Sequence, residues 1–150
     1  MEIHQSAVIL LLVVCVSFST HAQPADIMRR YQKFLNQHLG PDMNVQKCDS
    51  EMRTRNITGT DGGCKPVNTF IQANENQLKA VCDKRNQLNK DRNLFKSGQQ
   101  FPVVTCRFKP GLTPPNCEYR RGRLSTRYIV LGCVGGWPVH YNNTKTIQYF

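Results

Sequence analysis

Cysteine is the residue that most limits what this chain can become. The sequence holds seven, and the first, Cys15, falls in a stretch that reads as a secretory leader. An apolar run over residues 7–16 is followed by Ser17, Ser19, Thr20 and Ala22, the small residues of a cleavage site, although no Lys or Arg precedes the run. The run is too short to span a bilayer stably. Cleavage after Ala22 makes residues 1–22 the signal peptide and leaves residues 23–150 as one domain, with Gln23, a residue able to cyclise to pyroglutamate, at its start. Cys48, Cys64, Cys82, Cys106, Cys117 and Cys133 then remain. An even set in an exported domain of this size is a disulfide framework, supplementing a modest apolar content of 39%. Six cysteines allow about fifteen pairings, and spacing alone selects none of them. Metal ligation is the competing use, but no Cys-x-x-Cys and no His/Cys cluster occurs, so neither a metal site nor a cofactor is expected.

Charge narrows the class of partner. The leader contains Glu2 and no Lys or Arg, so its removal turns a formal charge of +10 into +11. Such a balance points to polyanions: nucleic acid, a heparan-type glycosaminoglycan or an anionic bacterial membrane. Removing the leader also leaves two histidines, His38 and His140.

Periodicity predicts a helix over residues 24–39, with Ile27, Tyr31, Phe34, Leu35 and His38 on one face and Gly40-Pro41 ending it. A second helix is expected over 44–54, capped by Asn44, with Arg53 and Arg55 at its solvated end. Asn56-Ile57-Thr58, a glycosylation sequon, follows in a surface loop. Alternation of Val67, Thr69 and Ile71 with Asn68 and Phe70 reads as a strand. A third helix is expected over 74–86, then strands over 93–95, 103–108, 117–119, 124–133 and 139–147, separated by Gly- and Pro-containing turns. Helices that precede or interrupt a run of antiparallel strands make the fold α+β.

Three separated motifs carry the chemistry. They are Phe34-Leu35-Asn36-Gln37-His38, Cys64-Lys65-Pro66-Val67-Asn68-Thr69-Phe70 and Pro138-Val139-His140-Tyr141. A histidine on the apolar face of a helix also serves as a satisfied core residue, and Asn68 also serves as turn chemistry. In combination, however, two histidines and a lysine match the needs of RNA cleavage by its own 2′-hydroxyl: a base, an acid and a cation for the crowded phosphorane. In order and spacing the three motifs resemble those of the pancreatic-type ribonuclease superfamily, over nearly the whole chain from Asp26 to Phe150, and with an angiogenin-like cast.

That resemblance implies three helices packed on a bent antiparallel sheet, stapled by Cys48–Cys106, Cys64–Cys117 and Cys82–Cys133, with Pro115 in the cis form. It implies His38 as base, His140 as acid and Lys65 as the transition-state cation. Gln37 would bond the scissile phosphate, Asn68 would support Lys65, Thr69 would read a pyrimidine through its backbone and hydroxyl, and Tyr141 would pack on the base. Lys33 would touch a flanking phosphate. Departures matter too. No cysteine lies in 90–105, so the family's fourth disulfide loop is missing, and Asn142 stands where the family carries an aspartate. Asn143 stands where the angiogenin tail obstructs the pyrimidine pocket, and Asn142-Asn143-Thr144 is a second sequon, expected to stay unused.

The sequence therefore leads to a secreted, monomeric, metal-free endoribonuclease cutting single-stranded RNA after pyrimidines, with reduced activity, an angiogenic or host-defence role and uptake toward the nucleolus. Arg53 and Arg55 alone represent the basic cluster that targets angiogenin there. The ribonuclease inhibitor joins RNA and the polyanions above as an expected partner. The alternative is a cationic antimicrobial or angiogenic ligand acting mainly by charge, for which the Arg120-Arg121-Gly122-Arg123 loop is the obvious surface.

Overall fold

The computed structural model describes residues 24–143. The expected leader, Gln23 and residues 144–150 lie outside these, including the second half of the expected final strand. The elements run α1 (Ala25–His38), α2 (Cys48–Thr54), β1 (Val67–Ile71), α3 (Glu75–Ala80), a 3₁₀ turn (Lys84–Asn86), β2 (Leu94–Arg107), β3 (Arg123–Val134) and β4 (Trp137–Tyr141). The strands form one antiparallel sheet in the order β1-β2-β3-β4, so the fold is α+β. Cysteines pair as Cys48–Cys106, Cys64–Cys117 and Cys82–Cys133, with sequence separations of 58, 53 and 51. Loops of that length lower the entropy of the unfolded chain, by about 4 kcal/mol each in the chain-entropy account. The Pro114-Pro115 peptide is cis.

Several boundaries differ from the expectation, each for a local reason. The helix expected from Asn44 begins at Cys48, because Asn44 Oδ1 accepts from Gln46 N and holds a turn instead. The helix expected to reach Asn86 stops at Ala80; its start is as strong as it looks, with a reciprocal capping box between Asn74 and Gln77, but the Cys82–Cys133 bridge and Asp83 turn the chain into a separate 3₁₀ turn. The two strands expected over 93–95 and 103–108 are one strand, β2, interrupted by a register shift between Lys96 and Gln100. Ser97 sits in that irregularity, its hydroxyl donating to Gln99 O and accepting from Ile129 N. The segment expected as a strand at 117–119 makes only an isolated bridge, Phe108 to Tyr119. The last strand starts two residues earlier than expected, at Trp137, straight after Gly135-Gly136.

Alternation along β1 divides the interior into two cores. Ile71 joins Phe34, Val103, Ile129 and Leu131 beneath α1, while Phe70 turns to the other side with Met43, Met52, Val104 and Cys106 beneath α2. Every β1 residue after Val67 is buried, as expected for a strand covered on both faces. Helix α1 buries Tyr31, Phe34 and His38, the i, i+3, i+7 pattern of its apolar face.

What positions the site is the close pass of the chain after α1. Leu39 bridges to Ile71 in parallel, and Gly40 N donates to Ile71 O at 3.0 Å. A Cβ on Gly40 would lie 2.9 Å from Met43 Cβ and 3.1 Å from Phe70 Cβ, too near for ordinary contact. Gly40→Ala should therefore destabilise the fold by about 1–3 kcal/mol, the usual cost of overpacking a tight core. A urea midpoint unchanged from wild type, with disulfides intact, would show that this junction yields easily.

Candidate active site

His38 ends α1 at its buried face, and β1 receives it. Its Nδ1 lies 2.7 Å from Thr69 O, a buried contact in which the ring N–H donates to the carbonyl, leaving Nε2 as the nitrogen able to exchange a proton. The ring stacks on Tyr141, centroids 5.2 Å apart and planes 28° from parallel, and touches Phe34 on the same helix. Burial lowers the His38 pKa to about 3; the Thr69 carbonyl opposes this, and the positive fields of Lys65 and His140 reinforce it. The unliganded site thus holds a neutral imidazole.

Lys65 follows the Cys64–Cys117 bridge, and its carbonyl accepts from the Tyr119 hydroxyl at 2.7 Å, so the backbone is held on both sides of the residue's entry to the cleft. Its ammonium donates to Asn68 Oδ1 at 2.8 Å and Gln37 Oε1 at 3.4 Å, while Asn68 Nδ2 donates back to Gln37 O at 2.7 Å. Asn68 is buried, and this network satisfies both ends of its amide. Burial lowers the Lys65 pKa, and Lys33 lowers it further.

His140 arrives from the far edge of the sheet, exposed, on β4 opposite Gly132 of β3. A Cβ at 132 would stand 3.1 Å from His140 Cβ and 3.9 Å from Cδ2, so glycine there leaves room for the imidazole. Desolvation lowers the His140 pKa, followed by the charges of Lys65 and Arg30.

All seven residues expected from the sequence, His38, Lys65, His140, Gln37, Asn68, Thr69 and Tyr141, line one cleft of about 1020 Å³. Lys33 and Asn143 line it too, as does the sequon residue Asn56, which is exposed with a left-handed φ of 54°. Asn142 follows directly on Tyr141, its backbone N–H donating to Val130 O at 2.9 Å.

Other contributors were not legible as site residues. Arg55, expected at a solvated helix end, is only partly exposed: it pairs with Glu51, donates to Asn36 O and Leu39 O at 3.1 and 2.6 Å, and lies over the Phe70 ring. A cation there neutralises the carbonyl end of α1 on either side of His38. Tyr119, Gly132 and Arg30 were also missed as site residues.

An antiparallel sheet that carries a buried helix histidine, a bonded lysine and an edge histidine into one cleft, all stapled by three disulfides, defines a class. The pancreatic ribonuclease family pattern matches residues 29–142, and the chain belongs to that family. Within it, the chain is 48% identical over 144 residues to Ribonuclease-like 3 of Danio rerio, covering 94% of this chain and 96% of that protein. It is 39% identical over 118 residues to angiogenin of Chlorocebus aethiops, covering 77% of this chain and 78% of that one. In three dimensions it is similar to the X-ray structure of zebrafish RNase5, with a TM-score of 0.73 and 54% identity over 82% of this chain and 100% of that one. RNASE ZF-1A matches with the same TM-score at 53% identity, covering 83% and 98%.

The cationic surroundings of His140 generate a direct test. In a histidine NMR titration its pKa should fall below the ordinary 6.5, and Arg30→Ala should move it upward by removing one of the charges that disfavour the imidazolium. A downward movement, or none, would contradict the field described.

Proposed function

We propose that this chain is a secreted, metal-independent endoribonuclease that cleaves single-stranded RNA on the 3′ side of pyrimidines. Family membership supports the broad activity, an extracellular endoribonuclease acting on RNA. The observation that carries the finer reading is the His38 Nδ1–Thr69 O contact, which dedicates Nε2 to proton transfer in a cleft shared with Lys65 and His140.

In the first step His38 Nε2 takes the 2′-hydroxyl proton, and O2′ attacks phosphorus. Lys65 leaves Gln37 and Asn68 to stabilise the non-bridging oxygens as charge develops, and Gln37 then donates to the phosphate. His140, protonated, gives its proton to the departing O5′. The products are a 2′,3′-cyclic phosphate and a free 5′-hydroxyl. In the second step the histidines exchange roles: His140 deprotonates water, water attacks phosphorus, and His38 protonates O2′. An anionic phosphate at the site favours the imidazolium of His140 needed for the first step, while burial keeps His38 neutral and able to act as base. The Thr69 hydroxyl and backbone read the pyrimidine, and the Tyr141 ring packs on it. With Asn142 in place of an aspartate, activity falls below that of the pancreatic enzymes, because an amide contributes no negative charge to the second histidine.

The test is cleavage of a fluorogenic uridine-containing oligonucleotide in EDTA. Wild type should cleave it. His38→Ala and His140→Ala should each lose about 10²–10⁴-fold in rate, the usual share of a positioned acid or base. Lys65→Ala should lose about 10²–10³-fold, the share of one electrostatic stabiliser. An active triple variant would remove these three residues from the reaction.

The exposed Arg120, Arg121 and Arg123, with a formal charge of +11 after leader removal, support a second activity on anionic surfaces, by which the protein acts in host defence. Bacterial killing should then survive loss of both histidines and weaken steeply with added salt.

A further inference from the structure

Helix α1 presents His38, yet none of the three disulfides reaches it: they begin at Cys48 and staple the chain that follows. Its carboxyl end is pinned to β1 through His38, Gln37 and Gly40. Farther back along the helix, the Tyr31 ring packs on Trp137 of β4, centroids 4.8 Å apart and planes at 59°. Helix α3 brackets that pair with two side chains one turn apart: the Tyr31 hydroxyl donates to Glu75 Oε1, and the Lys79 ammonium lies over the indole, 4.3 Å from its centroid. Tyr31 is buried, and Trp137, half-buried, does not line the cleft.

The contacts between α1 and β4 fall in order. A Cβ at Gly135, in the turn before β4, would stand 3.9 Å from Ile27 Cδ1, an ordinary packing distance. Tyr31 then meets Trp137, and His38 stacks on Tyr141. Helix and strand therefore run side by side in the same direction. From Tyr31 to His38 is about 10 Å of helix, and from Trp137 to Tyr141 about 13 Å of strand, so the two ring pairs close the two ends of one contact. His140, the other histidine of the cleft, is the residue before Tyr141 on that strand.

We infer that Trp137 is a positioning residue for RNA cleavage: by holding Tyr31, with Lys79 over its indole, it fixes the angle of α1 against β4 and thereby the placement of His38 relative to His140. The inference rests on the reading of those histidines as base and acid. With the carboxyl end of α1 as pivot, a slip of about 2 Å at Tyr31 on a lever of about 10 Å tilts the helix by about 10°, the range at which catalytic geometry is lost. Tilting also admits water to His38. Burial is the largest cause of its low pKa, ahead of the charges of Lys65 and His140, so a wetter ring titrates higher.

The test is cleavage of uridylyl-adenosine across pH by wild type and by Trp137→Leu, Tyr31→Leu, the double variant and Trp137→Phe. Because the disulfides staple the rest of the fold, each Leu variant should fold, and the two probe the same contact from opposite sides. Each should lower kcat about 10-fold with KM changed by less than about 2-fold, the mark of misplaced groups and not of weaker binding. The acid limb of kcat/KM, which follows His38, should move to higher pH; a smaller folded fraction would scale the rate equally at every pH and leave the limb in place. The double variant should lose no more than either single one, since one contact is removed. Trp137→Phe, which keeps a ring against Tyr31, should recover most of kcat. An unchanged kcat and acid limb in Trp137→Leu, or a Trp137→Phe no better than it, overturns the inference while cleavage by wild type leaves the base and acid reading intact. An inert wild type overturns that reading, and this inference falls with it.

Discussion

The contact between His38 and the Thr69 carbonyl is the constraint on which the rest of the site depends. It joins the last turn of α1 to the centre of β1, and it lies within a tightly packed junction. Asn68 Nδ2 bonds Gln37 O one residue upstream, and Gly40 N bonds Ile71 O two residues downstream. Asn68, Thr69 and Ile71 of one strand thus hold Gln37, His38 and Gly40, at and just past the helix end. Each such bond contributes only about 1 kcal/mol net, but none is easily surrendered, because a buried partner left unpaired costs more than the bond gains. The histidine is consequently held in one tautomer by the fold itself.

A cleft so rich in cations is electrostatically unfavourable when empty. The charges of Lys65 and Arg30 disfavour the imidazolium forms of the histidines, Lys33 disfavours the Lys65 ammonium, and desolvation acts in the same direction on both histidines and Lys65. The protein accommodates this by keeping the imidazoles neutral and by wrapping the ammonium in amide oxygens from Asn68 and Gln37. In the proposed reaction a phosphorane-like ligand would reverse the balance, so that interactions unfavourable in the empty site would become attractive as negative charge builds. That is the pattern of differential stabilisation that raises a rate instead of merely tightening binding. Arg55 belongs to the same arrangement at one remove, since its guanidinium serves the carbonyl end of the helix that presents His38.

Much of the site was legible because its residues cluster in sequence. Gln37 precedes His38, and Lys65, Asn68 and Thr69 fall within five positions, so local motifs carry most of the chemistry. Boundaries were less legible where tertiary bonds override propensity: the Cys82–Cys133 bridge shortens α3, and the Ser97 irregularity lets one strand carry a break that reads as a loop. Arg55 was misread because nothing in a Thr-Arg-Asn sequence reports two carbonyls of a different helix. Gly132 was missed because its importance lies wholly in the residue across the hairpin.

The sequence by itself determined the oxidised framework, the amphipathic face that carries His38, the alternation of β1 and the residue types of the proposed catalytic set. These are short-range properties, set by spacing, apolar periodicity and side-chain chemistry. Only the tertiary structure decided which of the fifteen conceivable disulfide pairings occurs and which ring nitrogen of His38 is engaged. It likewise decided that the Tyr141 ring of β4 stacks on the His38 ring of α1. Those outcomes depend on the register of antiparallel strands and on one close approach at Gly40, and register is fixed by many weak contacts between residues far apart in the chain.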